Sequence, residues 1–117
     1  MARLPRAFET FRKRYRSVYK AYEALGGAAH EAGPLDQTTR ELVKLGMAIG
    51  GRLEGAVRSH AQRAREAGAT PQEIEHVVLL AVTTSGFPTA VAVFTWVEDH
   101  LREGSKGPSS AAPKRRR

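Results

Sequence analysis

The longest uncharged stretch of the chain runs from Val77 to Val97, and it restricts the possible folds more than any other feature. A run of this length is sufficient for a membrane-spanning helix. Gly86-Phe87-Pro88 divides it, however, and glycine and proline both interrupt helices. We therefore predict two short helices, over about residues 71–85 and 88–102, and no membrane partner. Each is apolar on nearly every side, so this hairpin should be buried in the centre of the fold or at a subunit interface.

Three further helices are predicted upstream of the hairpin. Residues 5–25 carry apolar side chains at alternating spacings of four and three, the period of a seam that packs along another helix. Gly26-Gly27 is predicted to end this helix. A second helix begins after Asp36, an N-cap residue, and ends at Gly50-Gly51. The third covers roughly residues 53–67, with Gly68 following its end.

The clearest local signal is Thr70-Pro71-Gln72-Glu73, which matches a capping box with proline at the first helical position. It marks the start of the apolar hairpin. No strand-like alternation of apolar and polar residues is present in the sequence. The predicted fold class is therefore all-α, a bundle of about five helices with a buried helical hairpin.

Basic residues are concentrated at the two ends of the chain. Residues 1–20 carry seven basic and one acidic side chain, and residues 103–117 carry five and one. Residues 21–102 carry seven basic and ten acidic side chains. A high net positive charge points to nucleic acid as a partner, but here that argument applies to the termini, where we expect at most weak binding.

The charge distribution and the glycine pair suggest three segments. Residues 1–27 form a basic amphipathic helix, residues 28–103 a helical domain, and residues 104–117 a basic tail. The tail has no large apolar residue, so its burial cannot offset the entropy of ordering and it should be disordered. A chain of 117 residues buries proportionally less surface than a large one, and for this reason we expect a homo-oligomer.

The chain contains no cysteine. This excludes disulfides, thiolate nucleophiles, Cys-ligated zinc and iron–sulfur clusters. Three of the four histidines, His30, His76 and His100, show no metal-ligand spacing with each other, so we expect neither a metal nor another cofactor. The start of the chain has no apolar signal region, and a cytoplasmic location is the default expectation.

His60 and Glu41 are the candidate catalytic residues. His60 lies on an otherwise apolar helical seam, where an imidazole can act as a general acid or base near neutral pH. The alternative is a histidine at the edge of the core that is bonded locally. Glu41 flanks the inner face of the preceding helix, and its alternative is a carboxylate exposed to solvent. The two side chains can converge because the helices are consecutive and antiparallel. A carboxylate there would orient the ring.

Arg52 and Arg58 are the candidate substrate-binding residues. They lie at and just inside the start of the helix that carries His60, where a guanidinium can hold a substrate carboxylate. The alternative for Arg58 is a surface ion pair with Glu54, four residues earlier, which contributes little to stability.

The motifs LD-x-x-TREL, a helix ending in x-x-x-H, AGAT-x-x-EI and an uncharged helix broken by G-x-P follow one another over about residues 30–102. In this order they resemble the carboxymuconolactone decarboxylase and alkylhydroperoxidase D family. The resemblance implies an alkylhydroperoxidase D-like helical fold that assembles as a trimer or a hexamer. It places the family's histidine at His60 and its glutamate at Glu41.

The resemblance also divides the possible functions. The peroxidase branch of the family uses a C-x-x-C pair, whose positions fall on Leu53 and Ala56, so a thiol-dependent peroxidase is not expected. The decarboxylase branch acts on a small anionic lactone and needs acid–base residues and a cation, for which His60, Glu41, Arg52 and Arg58 are available. The alternatives are a non-catalytic oligomeric scaffold or small-ligand binding protein, and an antioxidant protein by resemblance alone.

Overall fold

The computed structural model describes residues 6–102, which form six α-helices and one short 3₁₀-helix and contain no strand. The predicted all-α class is therefore confirmed. The predicted tail, residues 104–117, lies outside the described residues. The chain divides between Leu35 and Asp36 into two units, which are described separately.

The first unit contains α1 (Arg6–Arg14) and α2 (Arg16–Glu31), where the sequence predicted one helix. Tyr15 interrupts the helix with φ −117° and ψ 58°. The break allows Phe8 to pack edge-to-face on Tyr19, with ring centroids 5.6 Å apart. A continuous helix would separate these residues by about 16 Å, at roughly 1.5 Å per residue.

The predicted helix end at Gly26-Gly27 is wrong. Helix α2 continues through both glycines to Glu31. A Cβ atom on either glycine would meet no other atom within 4 Å, so no close contact requires glycine at these positions. Glycine lowers helix stability, but it keeps the backbone donor and acceptor that the helix needs. No residue of α1 or α2 is buried. The predicted seam is exposed at Phe11, Tyr15, Val18, Tyr22 and Leu25.

The second unit begins with α3 (Gln37–Gly50) and α4 (Glu54–Glu66). Asp36 is the N-cap of α3, as predicted, and its side chain accepts a hydrogen bond of 2.8 Å from the Thr39 amide. Gly68 follows the end of α4 with φ 114°, a backbone conformation that an L-residue adopts only with strain. This glycine turns the chain toward the next helix.

The hairpin consists of α5 (Pro71–Thr84) and α6 (Phe87–Val97), followed by the 3₁₀-helix Glu98–His100. Both hydrogen bonds of the predicted capping box are present, each 3.0 Å long, between Thr70 and Glu73. Gly86 joins the two helices with φ 111°. The break at this glycine explains why the uncharged run is not one long helix. No helix within residues 6–102 has both the length and the apolar character to cross a membrane.

All four helices of the second unit contribute to one hydrophobic core. Its largest fully buried side chains are Leu45, Ile49, Val57, Ile74, Val93 and Val97. Val78 and several alanines fill the remaining core positions, and the small alanines allow the helices to approach closely. This core holds α3 and α4 at a fixed separation and thereby positions the polar residues between them.

The hairpin is buried on one side only. Its outer side chains are 38–64% exposed, namely Leu79, Leu80, Phe87, Val91 and Phe94. A central position in the fold, one of the two predicted explanations for its apolar character, is therefore wrong for a single chain. The subunit interface stays a prediction.

Candidate functional site

Helices α3 and α4 lie antiparallel, and two polar contacts between them fix their alignment. The Thr38 hydroxyl donates to the Ala67 carbonyl at 2.7 Å. One turn further along α3, Glu41 faces His60 of α4. Moving forward along α3 therefore corresponds to moving backward along α4, as expected for consecutive helices joined by a short turn.

The two candidate catalytic residues are in direct contact. Glu41 Oε1 lies 2.8 Å from His60 Nδ1, which is hydrogen-bonding distance. The side chain of Glu41 is 5% exposed and that of His60 is 17% exposed. The carboxylate is thus almost enclosed, whereas part of the imidazole is open to solvent.

The Glu41–His60 contact determines what each ring nitrogen can do. An ionised carboxylate only accepts hydrogen bonds, so Nδ1 carries the hydrogen in this contact. In the neutral ring Nε2 then has a free lone pair and can take up a proton. The arrangement is that of an oriented general acid–base group, with Glu41 as the orienting partner.

Arg52 occupies the turn between α3 and α4. Its backbone has φ 55°, the left-handed conformation that usually requires glycine. Its guanidinium donates to the hydroxyl of Thr89, a buried residue in the first turn of α6. Since that partner is neutral, the positive charge of Arg52 is not compensated by this bond.

Arg58 is held by two partners on different helices. Its Nε and Nη2 donate to Glu54 Oε2 at 3.0 and 2.7 Å, so the predicted i, i+4 ion pair is present. Its Nη1 donates to the Trp96 carbonyl near the end of α6, at 3.2 Å. The two predicted substrate-binding arginines thus connect the start of α4 to the two ends of α6.

Thr38 is a residue of this region that the sequence reasoning missed. It is 4% exposed and lies on the same face of α3 as Glu41, three residues earlier. That spacing was the available signal. A threonine in the first turn of a helix is common, however, and nothing in the sequence identifies the Ala67 carbonyl as its partner.

No group of three or more metal-ligating side chains is found in residues 6–102. The polar side chains described between α3 and α4 are Thr38, Glu41 and His60.

A family model and a solved structure point to the same family. The model of the carboxymuconolactone decarboxylase family matches residues 16–99. The crystal structure of an apo carboxymuconolactone decarboxylase family protein from Legionella pneumophila aligns with a TM-score of 0.72 at 27% identity, over 86% of this chain and 88% of that one. An uncharacterized protein of Haemophilus influenzae is 41% identical over 59 residues, or 50% of this chain and 52% of that protein. The chain thus spans about half the length of this curated relative.

Proposed function

Since the chain belongs to the carboxymuconolactone decarboxylase family, we propose that it is a cofactor-free acid–base enzyme acting on a small anionic lactone or a related acid. The observation that carries this proposal is the contact of 2.8 Å between Glu41 and the partly exposed His60. A histidine oriented by a carboxylate, with one ring nitrogen available, is the minimum equipment for moving a proton to or from a small substrate.

Decarboxylation of an unsaturated lactone replaces a carbon–carboxylate bond with a carbon–hydrogen bond. The departing carbon dioxide leaves its bonding electron pair on the ring, where the conjugated lactone carbonyl accepts it. A proton must then reach a ring carbon. We assign this proton transfer to Nε2 of His60. Glu41 stabilises the protonated imidazole and holds its orientation.

Arg52 is the stronger candidate for binding the substrate anion. Its side-chain partner, the Thr89 hydroxyl, is neutral, and a substrate carboxylate can replace or join it. Arg58 is already paired with the carboxylate of Glu54, so a second anion would have to compete for it. We assign anion binding to Arg52 and a supporting role to Arg58.

A thiol-dependent peroxidase is not proposed. By the resemblance, the positions of the two thiols fall on Leu53 and Ala56, and the chain has no cysteine at any position. Peroxide reduction by this route begins with attack by a thiolate, which this chain does not have. Antioxidant activity would therefore rest on family resemblance alone.

The first test is turnover of a panel of carboxylated lactones, followed by carbon dioxide release. His60→Gln should abolish turnover, and Glu41→Gln should lower kcat about 10²-fold, in the range found for positioned acid–base groups. His76→Gln changes an exposed histidine of α5 and is the matched control, expected to retain full activity. Both site variants should keep the helical circular dichroism of the unmodified protein.

Turnover that survives in His60→Gln would contradict the assignment of His60. If no carboxylated lactone or related acid is turned over, the alternative is a non-catalytic oligomeric scaffold or small-ligand binding protein. The enzyme and this alternative share the self-association into a trimer or a hexamer that the exposed apolar side chains of α5 and α6 indicate, so turnover is what distinguishes them.

A further inference from the structure

A groove between α3 and α5 is lined by neither of the acid–base residues. It is open to solvent, has a volume of about 360 Å³, and takes its lining from these two helices and the adjoining Ser85, with no residue of α4. Its apolar lining residues are Leu42, Val43, Ile49, Val77, Leu80 and Ala81. The groove is therefore separate from the contact between Glu41 and His60.

The two helices that form the groove run in the same direction. Gly46 lies beside Val77, and four residues later Gly50 lies beside Ser85. Thr39 is consequently at one end of the groove, and Thr84 and Ser85 are at the other. The lining on α3, from Thr39 to Ile49, is about 15 Å long at roughly 1.5 Å per residue.

The lining carries no charged side chain. An ionised ligand would have to lose water there without gaining a counter-charge, which is costly. A neutral ligand avoids this cost, and the three hydroxyl-bearing residues at the ends can bond to polar groups of a molecule whose middle is apolar. The groove volume falls within the range of small-molecule sites, about 300–1,000 Å³.

Gly46 keeps the groove open without being required by the fold. A methyl group on this residue would lie 3.9 Å from Val77 Cγ1, an ordinary van der Waals distance. Glycine within a helix is less stable than alanine by roughly 0.5–1 kcal/mol. The fold would thus tolerate alanine here, and what glycine provides is space in the groove.

From these observations we infer that the groove between α3 and α5 is a second binding site, for a small, neutral and mainly apolar molecule with polar groups at its ends. Its ligand differs in charge from the anionic substrate proposed for His60. A second copy of the chain is a less suitable occupant, because the groove is recessed between two helices and only Val43 and Leu80 of its apolar lining are exposed. The outer face of α6, with Phe87, Val91 and Phe94, is the exposed apolar ridge better suited to a subunit contact.

The test uses two fluorescent probes of nearly equal shape, neutral dansylamide and its anionic counterpart dansylate. The full chain should bind one dansylamide per subunit, with dansylate at least about tenfold weaker. Gly46→Leu, which fills the groove, should weaken dansylamide binding at least about tenfold. Gly55→Leu makes the same change in α4, where the glycine has open surroundings, and should bind dansylamide like the unmodified protein.

Four results would overturn the inference. Equal binding of dansylate would indicate an ionic site, and unchanged binding to Gly46→Leu would place the dye elsewhere. If Gly46→Leu had a different molar mass from the unmodified protein in sedimentation velocity, another copy of the chain would be the occupant of the groove. If Gly46→Leu does not fold, amide chemical shifts of the unmodified protein decide. Dansylamide should perturb Gly46, Val77 and Ala81, and shifts confined to other regions would refute the site.

Discussion

His100 is the residue of the second unit whose titration is most clearly altered by its surroundings. Partial burial lowers the pKa of its imidazole below the usual 6.5, because burial disfavours the charged ring. Asp99 opposes this shift, whereas Arg65 and Arg58 add to it. The folded chain therefore binds a proton at this position less readily than the unfolded chain does.

The lowered pKa of His100 predicts a loss of stability on acidification. Above about pH 6.5, the ordinary histidine value, the ring is neutral in both states and its contribution is fully present. As the pH falls below this value, the unfolded state takes up the proton first and the free energy of unfolding decreases. Urea unfolding at several pH values should show a steeper decrease for the unmodified protein than for His100→Gln. Equal pH dependence of the two proteins would contradict this prediction.

The individual residues of the candidate site differ in how much of their placement the sequence predicts. Helical spacing alone leaves His60 as either a catalytic or a locally bonded residue, and the family resemblance is what selects it together with Glu41. Arg52 was identified by position, but its left-handed backbone and its bond to Thr89 were not. Those features depend on where α6 docks, 37 residues further along, and no local pattern contains that information.

Helices α3 and α4 are joined at one end by the hydrogen bond from the Thr38 hydroxyl to the Ala67 carbonyl. Thr38→Val keeps the shape of the side chain but removes the donor to the Ala67 carbonyl. Because the site is buried, we expect a loss of about 1–3 kcal/mol in the free energy of unfolding. Chemical denaturation measures this difference. Thr39→Val, the same change one residue later, should have a smaller effect, and equal losses in the two variants would argue against the role of this bond.

Helix starts were predictable where a side chain caps the backbone. Asp36 and Thr70 each bond to an amide within the next turn, so the signal and its cause lie within four residues. The break at Tyr15 was not predictable in this way, because it accompanies a contact between Phe8 and Tyr19. The helix end predicted at Gly26-Gly27 is wrong because glycine permits a helix to end but does not require it.

For the whole molecule, the exposed ridge on α6 predicts self-association. Phe87, Val91 and Phe94 follow one another at helical spacing and are 38–64% exposed. Apolar residues exposed together on one face are typical of an interface. We expect the particle mass from light scattering to be a multiple of 12.8 kDa, consistent with a trimer or a hexamer.

The double variant Val91→Glu with Phe94→Glu should shift the particle toward a single chain, because two carboxylates would be desolvated at the contact. Gln72→Glu adds a charge at an exposed position at the start of α5 and should leave the mass unchanged. A mass of one chain for the unmodified protein would refute the predicted oligomer.

Glu41 and His60 are separated by only 19 residues. They lie on the consecutive helices α3 and α4, and the entropic cost of closing so short a loop is small. The helices that follow, α5 and α6, supply neither partner of the pair. Substitutions in α5 and α6 can therefore change the surroundings of the Glu41–His60 contact without removing either of its members.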